Sequence, residues 1–99
     1  ITISPLEIKT VVYSHPAILE AAVIGVPDAK WGEAVQAVIV LKPGADLKAE
    51  ELLGFCKERL SAYKVPKSVQ FRSSLPHTEV GKVNKVKLKE MILSEGGEA

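Results

Sequence analysis

The chain has few of the residues that mark several common protein classes. Its single cysteine, Cys56, excludes an intrachain disulfide and a cysteine metal cluster. No apolar run approaches the length of a membrane span, and no basic segment followed by an apolar stretch indicates a signal peptide. The formal net charge of +1 gives no general argument for nucleic-acid binding. We therefore expect a cytoplasmic protein with no nucleic-acid partner and no membrane span.

The composition that remains is that of a folded domain. The chain has 99 residues, of which 46% are hydrophobic and 25% charged, so we expect one domain with a modest core. It begins at Ile1 without methionine, which suggests a fragment of a longer polypeptide. We expect residues 1–94 to form the domain and residues 95–99 to form a flexible tail.

The hydrophobic pattern predicts the order helix, strand, strand, helix, strand, loop, helix. The expected elements are a helix from Ser4-Pro5 to His15-Pro16, strands at 18–26 and 33–41, a helix capped by Asp46, a linker at 63–66, a strand at 69–71 and a helix from about Asn84. Two long strands joined by a short loop suit an antiparallel pair. The predicted fold class is α+β, with a small three-stranded, mainly antiparallel sheet and helices packed on it.

Several apolar residues recur at helical spacing and are expected to face the core. These are Leu52, Leu53, Cys56 and Leu60 in the second helix, and Leu88, Met91 and Ile92 in the last. Cys56 is interpreted as a small buried hydrophobe. Trp31 is expected to pack between a loop and the sheet.

The segment 75–83, Leu-Pro-His-Thr-Glu-Val-Gly-Lys-Val, has the pattern of a turn that presents a lysine. Pro76 fixes its own φ, and Gly81 can take a positive φ beside Lys82. The segment is not a P-loop, because Pro76 replaces the first glycine and Val83 replaces the Ser or Thr that would hold Mg²⁺. Taken alone, the pattern is typical of an ordinary surface turn with a solvated lysine.

Five blocks of sequence resemble, in order, motifs of the small C-terminal domain of the adenylate-forming enzymes. This family includes acyl- and aryl-CoA synthetases, adenylation domains of peptide synthetases and luciferases. The blocks are I-S-P-L-E-I at 3–8, H-P-A-I-L-E-A-A-V-I-G-V-P-D at 15–28, W-G-E at 31–33, Y-K-V-P at 63–66 and L-P-H-T-E-V-G-K at 75–82. The chain departs from the family in lacking the hinge before the first block. It also has Lys85 where the family often has arginine. Lysine keeps the positive charge but lacks the planar fork of the guanidinium group.

The resemblance implies the C-terminal lid of an ATP-dependent acyl- or aryl-CoA ligase. Its partner would be its own large N-terminal ATP-binding domain, and its substrates a carboxylic acid and CoA, with ATP and Mg²⁺. Lys82 would be the catalytic lysine of acyl-adenylate formation, on a loop shaped by Pro76, Thr78 and Gly81. After adenylation the domain would rotate and form part of the CoA tunnel.

The resemblance also suggests weaker assignments. Lys57, Lys64 and Lys85 are possible CoA or phosphate contacts, although Lys57 also reads as a solvated lysine and Lys64 as a plain surface lysine. His77 is a weak site candidate, and Thr78 could bond to the loop backbone. His15 is interpreted as a capping or surface residue. We expect the fragment alone to be inactive, with no tightly bound cofactor and no metal site.

Two other functions stay open at this point. The chain could belong to an adenylation domain that loads a carrier protein, or it could be a non-enzymatic α+β interaction module. The basic stretch formed by Lys82, Lys85, Lys87 and Lys89 could suggest nucleic acid, but no aromatic residues are interleaved with it. The resemblance implies that the pocket for the acid lies in the large domain.

Overall fold

The computed structural model describes residues 5–30 and 32–96, and within these ranges it confirms the predicted α+β fold. The predicted cap Ser4 and the predicted packing of Trp31 lie outside the described residues. The elements are α1 (Pro5–Tyr13), β1 (Ile18–Asp28), β2 (Gly32–Leu41), α2 (Ala49–Arg59), a short 3₁₀ helix (Ala62–Lys64), β3 (Ser68–Phe71) and α3 (Lys85–Gly96). None of the helices in this part of the chain is long and apolar enough to cross a membrane.

The three strands form one sheet in the order β1-β2-β3. Strands β1 and β2 are antiparallel over ten residue pairs, from Ile18 with Leu41 to Asp28 with Gly32. Strand β3 adds to the other side of β2 and runs parallel to it over four pairs. Because α2 carries the chain back along the sheet before β3 begins, the third strand takes this direction. The sheet is therefore mixed and mainly antiparallel.

Helices cover both faces of the sheet, so the domain has two cores. In the two long strands, β1 and β2, successive side chains point to opposite faces, as the pleat requires. One core lies under α1 and α2 and includes Ile8, Val12, Ala21, Val23, Ala37, Ile39, Leu52 and Cys56. The other lies under α3 and includes Ala22, Ile24, Val38, Val40, Leu75, Leu88 and Ile92. This double burial explains why both long strands read as almost continuous apolar runs rather than as alternating ones.

Helix α2 begins later than the sequence predicted. The predicted cap was Asp46, but the residue that caps the helix is Lys48, and its N–H donates to the Glu51 carboxylate over 2.8 Å. Glu51 thus supplies the reciprocal half of a capping box from inside the first turn. The cap was predicted at the wrong residue because aspartate is a favoured cap residue. In the structure, the oxygen of the capping box comes from Glu51, the third helical residue.

The last helix extends to Gly96, two residues into the segment 95–99 predicted as a tail. Glu95 makes two hydrogen bonds with the Arg72 guanidinium, at 2.9 and 2.7 Å. This contact attaches the end of α3 to the residue that follows β3. The hydrogen bond from Arg72 lowers the pKa of Glu95. Residues 97–99 lie outside the description.

Candidate functional site

The segment from Pro76 to Val83, here called the lysine loop, is a small hairpin. The Gly81 N–H donates to the Thr78 carbonyl over 2.9 Å, and the Thr78 N–H donates to the Lys82 carbonyl over 2.7 Å. His77 and Val83 then face each other in an antiparallel bridge. Three residues therefore connect the two sides of the hairpin, and the glycine comes last among them.

Gly81 takes a φ of 87°, as the sequence predicted. A glycine in this left-handed region is the usual third residue of a three-residue hairpin connection, because other residues are strained there. Thr78 holds the turn through its backbone N–H and carbonyl. Its contribution to loop shape therefore comes from main-chain atoms rather than from the predicted side-chain hydrogen bond.

Both ends of the lysine loop are attached to the second core. Leu75, directly before Pro76, is buried, and Val83 packs against the same core. The Asn84 N–H donates to the Pro76 carbonyl over 2.8 Å and closes the base of the hairpin. The Asn84 side-chain oxygen accepts from the Lys87 N–H over 3.1 Å, so the same residue caps α3. A start of the last helix near Asn84 is thus confirmed.

Lys82 is exposed at the end of this hairpin. Among the described residues, its ammonium group has no hydrogen-bond or ion-pair partner. The first turn of α3 contains no acidic residue, and Lys85 and Lys87 lie there, also exposed. Basic residues at a helix N-terminus oppose the helix dipole, so this junction concentrates positive charge. The arrangement is suited to an anion brought in from outside the described residues.

The other predicted contact residues do not gather around Lys82. Lys57 is exposed on α2, which packs on the opposite face of the sheet from α3. Lys64 lies in the 3₁₀ helix and pairs with the Glu7 carboxylate over 2.7 Å, so it connects that helix to α1. Lys85 is the predicted contact residue that lies beside the lysine loop, at the start of α3.

The remaining candidates have structural settings. The Nδ1 atom of His15 accepts from the Ala17 N–H over 3.1 Å, and the ring packs edge-on against Phe55 at 4.8 Å. Cys56 is fully buried, and burial raises the pKa of its thiol, as expected for an inert core cysteine. Within the described ranges, no three histidine, cysteine or acidic side chains are grouped to hold a metal ion.

Sequence reasoning missed one side-chain contact of the lysine loop. The His77 ring nitrogen Nε2 and the Glu20 carboxylate lie 2.5 Å apart, although the two residues are 57 positions apart in the chain. Glu20 lies on β1, in the predicted strand 18–26 and in a block that resembles a family motif. No local signal could have paired it with His77.

Comparisons with known proteins identify relatives of this chain. The family model described as AMP-binding enzyme C-terminal domain matches residues 7–82 and so ends on Lys82. A long-chain-fatty-acid–CoA ligase of Bacillus subtilis is 49% identical over 88 residues, which cover 89% of this chain and 16% of the ligase. A probable CoA ligase of Humulus lupulus is 43% identical over 96 residues, covering 95% of this chain and 17% of that protein.

The fold is also found in solved structures. The apo crystal structure of MatB from Rhodopseudomonas palustris matches with a TM-score of 0.88 and 37% identity. The match covers 96% of this chain and 19% of MatB. The chain thus spans less than a fifth of the length of the relatives described above.

Proposed function

Because the chain belongs to the family of AMP-binding enzyme C-terminal domains, we propose that it is the C-terminal lid of a larger acyl- or aryl-CoA ligase. Lys82 is its catalytic residue, acting in the formation of an acyl-adenylate from ATP and a carboxylic acid. The observation that carries this proposal is the ammonium of Lys82, which has no partner among the described residues and lies on a hairpin whose two ends are both fixed to the core. A cation held in this way is available to a substrate without first leaving another partner.

The proposed chemistry brings two anions together. A carboxylate oxygen attacks the α-phosphorus of ATP, the bond to the bridging oxygen breaks, and pyrophosphate leaves. Negative charge grows on the phosphate oxygens as this happens, so catalysis depends on positioning and on electrostatic stabilisation. The Lys82 ammonium would offset the repulsion between the carboxylate and the phosphate. Removing one preorganised donor of this kind costs about 10²–10³ in rate.

The cofactors would be held largely outside this chain. The described residues contain no cluster of metal-ligating side chains, so the rest of the enzyme and the phosphates of ATP would hold Mg²⁺. Mg²⁺ would supply charge neutralisation at those phosphates. The described residues contribute the positive junction of Lys82 and Lys85 instead.

The second proposed role is in transfer of the acyl group to CoA. A rotation of the domain would withdraw Lys82 and present another face to the large domain. Lys57 and Lys64 belong to the layer opposite the lysine loop and are the candidates for CoA contacts from that face. Lys57 is the better of the two, because Lys64 already neutralises Glu7.

The test uses the full-length enzyme and a panel of carboxylic acids. Acid-dependent exchange between ATP and pyrophosphate should appear with the full-length enzyme and should be absent with residues 1–99 alone. The acyl group should then be transferred to CoA. If the acyl group is transferred only to a phosphopantetheinylated carrier protein, the acceptor is that carrier protein and not CoA. No exchange with any acid would favour a non-enzymatic interaction module and contradict the proposal.

A further inference from the structure

We propose that Glu20 and His77 form a positioning pair that holds the lysine loop, and with it Lys82, against the edge strand of the sheet. The inference deepens the proposed function and rests on it, since it supposes that the place of Lys82 matters for adenylation. The family resemblance gives no role to Glu20, and the sequence suggests His77 only as a weak site candidate.

The contact has the geometry of a directed hydrogen bond. The His77 Nε2 atom and the Glu20 Oε2 atom lie 2.5 Å apart. An ionised carboxylate only accepts, so the imidazole nitrogen is the donor. The His77 side chain is 38% exposed and that of Glu20 26%, so water screens the pair only in part.

A β-bulge directs Glu20 towards the lysine loop. Ile18 pairs with Leu41 and Glu20 pairs with Val40, so β1 carries one extra residue, Leu19, at this point. Ile18 and Leu41 face the first core, whereas Val40 faces the second. Without the extra residue, Glu20 would share the face of Ile18, because residues two apart lie on the same side of a strand. The bulge thus brings Glu20 to the face that carries Leu75 and the lysine loop.

The lysine loop has little else to hold its outer part. Among residues 76–83, all of which the structure describes, His77 is the residue whose side chain forms a hydrogen bond or ion pair with the sheet. An isolated two-stranded hairpin is only marginally stable in water. The hairpin also borders an open depression lined by His77, Thr78, Glu79, Val80 and Asn84, so that side is not packed.

The pair acts on Lys82 through the hairpin itself. His77 bridges to Val83, the neighbour of Lys82, and the Thr78 N–H is bonded to the Lys82 carbonyl. Fixing His77 on β1 therefore also fixes the opposite arm of the hairpin, which begins at Lys82. His77 and Glu20 are positioning residues in this proposal, since neither is placed at the reacting atoms.

The first measurement follows the loop directly in this chain. Amide hydrogen exchange by NMR reports the opening of the bond from Thr78 to Lys82. Glu20→Ala and His77→Ala should each speed exchange at Thr78 by about two- to fivefold, the range for a partly exposed pair. The double variant should be no faster than either single variant, because the two substitutions break the same contact. Exchange at Val38, in the second core, separates this effect from global unfolding.

Glu95→Ala is the matched control, because it breaks an ion pair with Arg72 in the same layer but away from the loop. It should leave exchange at Thr78 unchanged. Equal acceleration by Glu95→Ala, or independent effects of Glu20→Ala and His77→Ala that multiply in the double variant, would overturn the proposal.

The second measurement uses the full-length enzyme. The kcat for acyl-adenylate formation should fall by a similar factor in Glu20→Ala and His77→Ala, while thioester formation from supplied acyl-adenylate stays unchanged. Faster exchange without a loss of adenylation, in an enzyme that Lys82→Ala inactivates, would overturn the positioning role. If Lys82→Ala also leaves adenylation intact, the proposed function fails, whatever the exchange data show.

Discussion

Asn84 closes the lysine loop and opens the helix that follows it, because its N–H donates to the Pro76 carbonyl while its side chain caps α3. The cation of Lys82 is therefore held between a hairpin and a helix that share one residue. The base of the loop cannot shift without disturbing the first turn of α3. This explains how a short hairpin on the surface can present Lys82 at a fixed place.

Replacing the cap at Asn84 should destabilise the domain. Asn84→Ala removes the oxygen that accepts from the Lys87 N–H and should lower the free energy of unfolding by about 1 kcal/mol. Asn84→Asp is the matched control, since it keeps an accepting oxygen and adds a charge that suits a helix N-terminus. Urea unfolding measures both. Equal stability of Asn84→Ala and the parent chain would show that the cap contributes nothing.

Alanine should have opposite effects at two glycines. Gly81→Ala places a side chain at a φ of 87° and should cost about 1 kcal/mol. Gly54→Ala lies in the interior of α2, where an added Cβ meets no atom within 4 Å, and should stabilise by about 0.5–1 kcal/mol. Thermal or urea unfolding of the two variants decides this. Stabilisation by Gly81→Ala would mean that the turn does not require positive φ.

The stability of the domain should depend on the Cys56 thiol at alkaline pH. Burial raises its pKa in the folded chain, while Arg59 acts more weakly in the opposite direction. The unfolded chain therefore loses the thiol proton first, at its ordinary pKa of about 8.5. The free energy of unfolding should fall as pH rises above that value.

Cys56→Ala provides the control for this pH dependence. It removes the titrating group, so its free energy of unfolding should fall less steeply between pH 8 and pH 10 than that of the parent chain. Identical slopes would contradict the account. Alkylation of Cys56 by a thiol reagent should likewise be slow until the chain is unfolded, because the side chain is fully buried.

The sequence predicted the elements well where pattern and local chemistry agree. Pro5 at the start of α1, the apolar runs of β1 and β2, and Gly81 in the turn before Lys82 were all read from neighbouring residues. The helix cap at Asp46 was wrong, because α2 begins at Ala49 and the cap residue is Lys48, whose N–H donates to the Glu51 carboxylate. Where the helix begins depends on how the chain approaches it, which neighbouring residues alone do not determine.

Only part of the candidate site could be predicted from the sequence. Lys82 and its turn stand out because Pro76 and Gly81 are close to it in the chain. The pairing of Glu20 with His77 depends on the extra residue in β1, which moves Glu20 to the other face of the sheet. Register shifts of this kind follow from the packing of the whole sheet. The roles proposed for Lys57, Lys64 and Lys85 remain predictions.

The most direct test of the central claim is a comparison of the two half-reactions in the full-length enzyme carrying Lys82→Ala, with Lys42→Ala, at an exposed lysine outside the site, as the control. Lys82→Ala should slow acyl-adenylate formation by about 10²–10³. It should leave thioester formation from supplied acyl-adenylate unchanged, and Lys42→Ala should retain the adenylation rate. An equal loss of both half-reactions in Lys82→Ala, or full retention of both, would contradict the role assigned to Lys82.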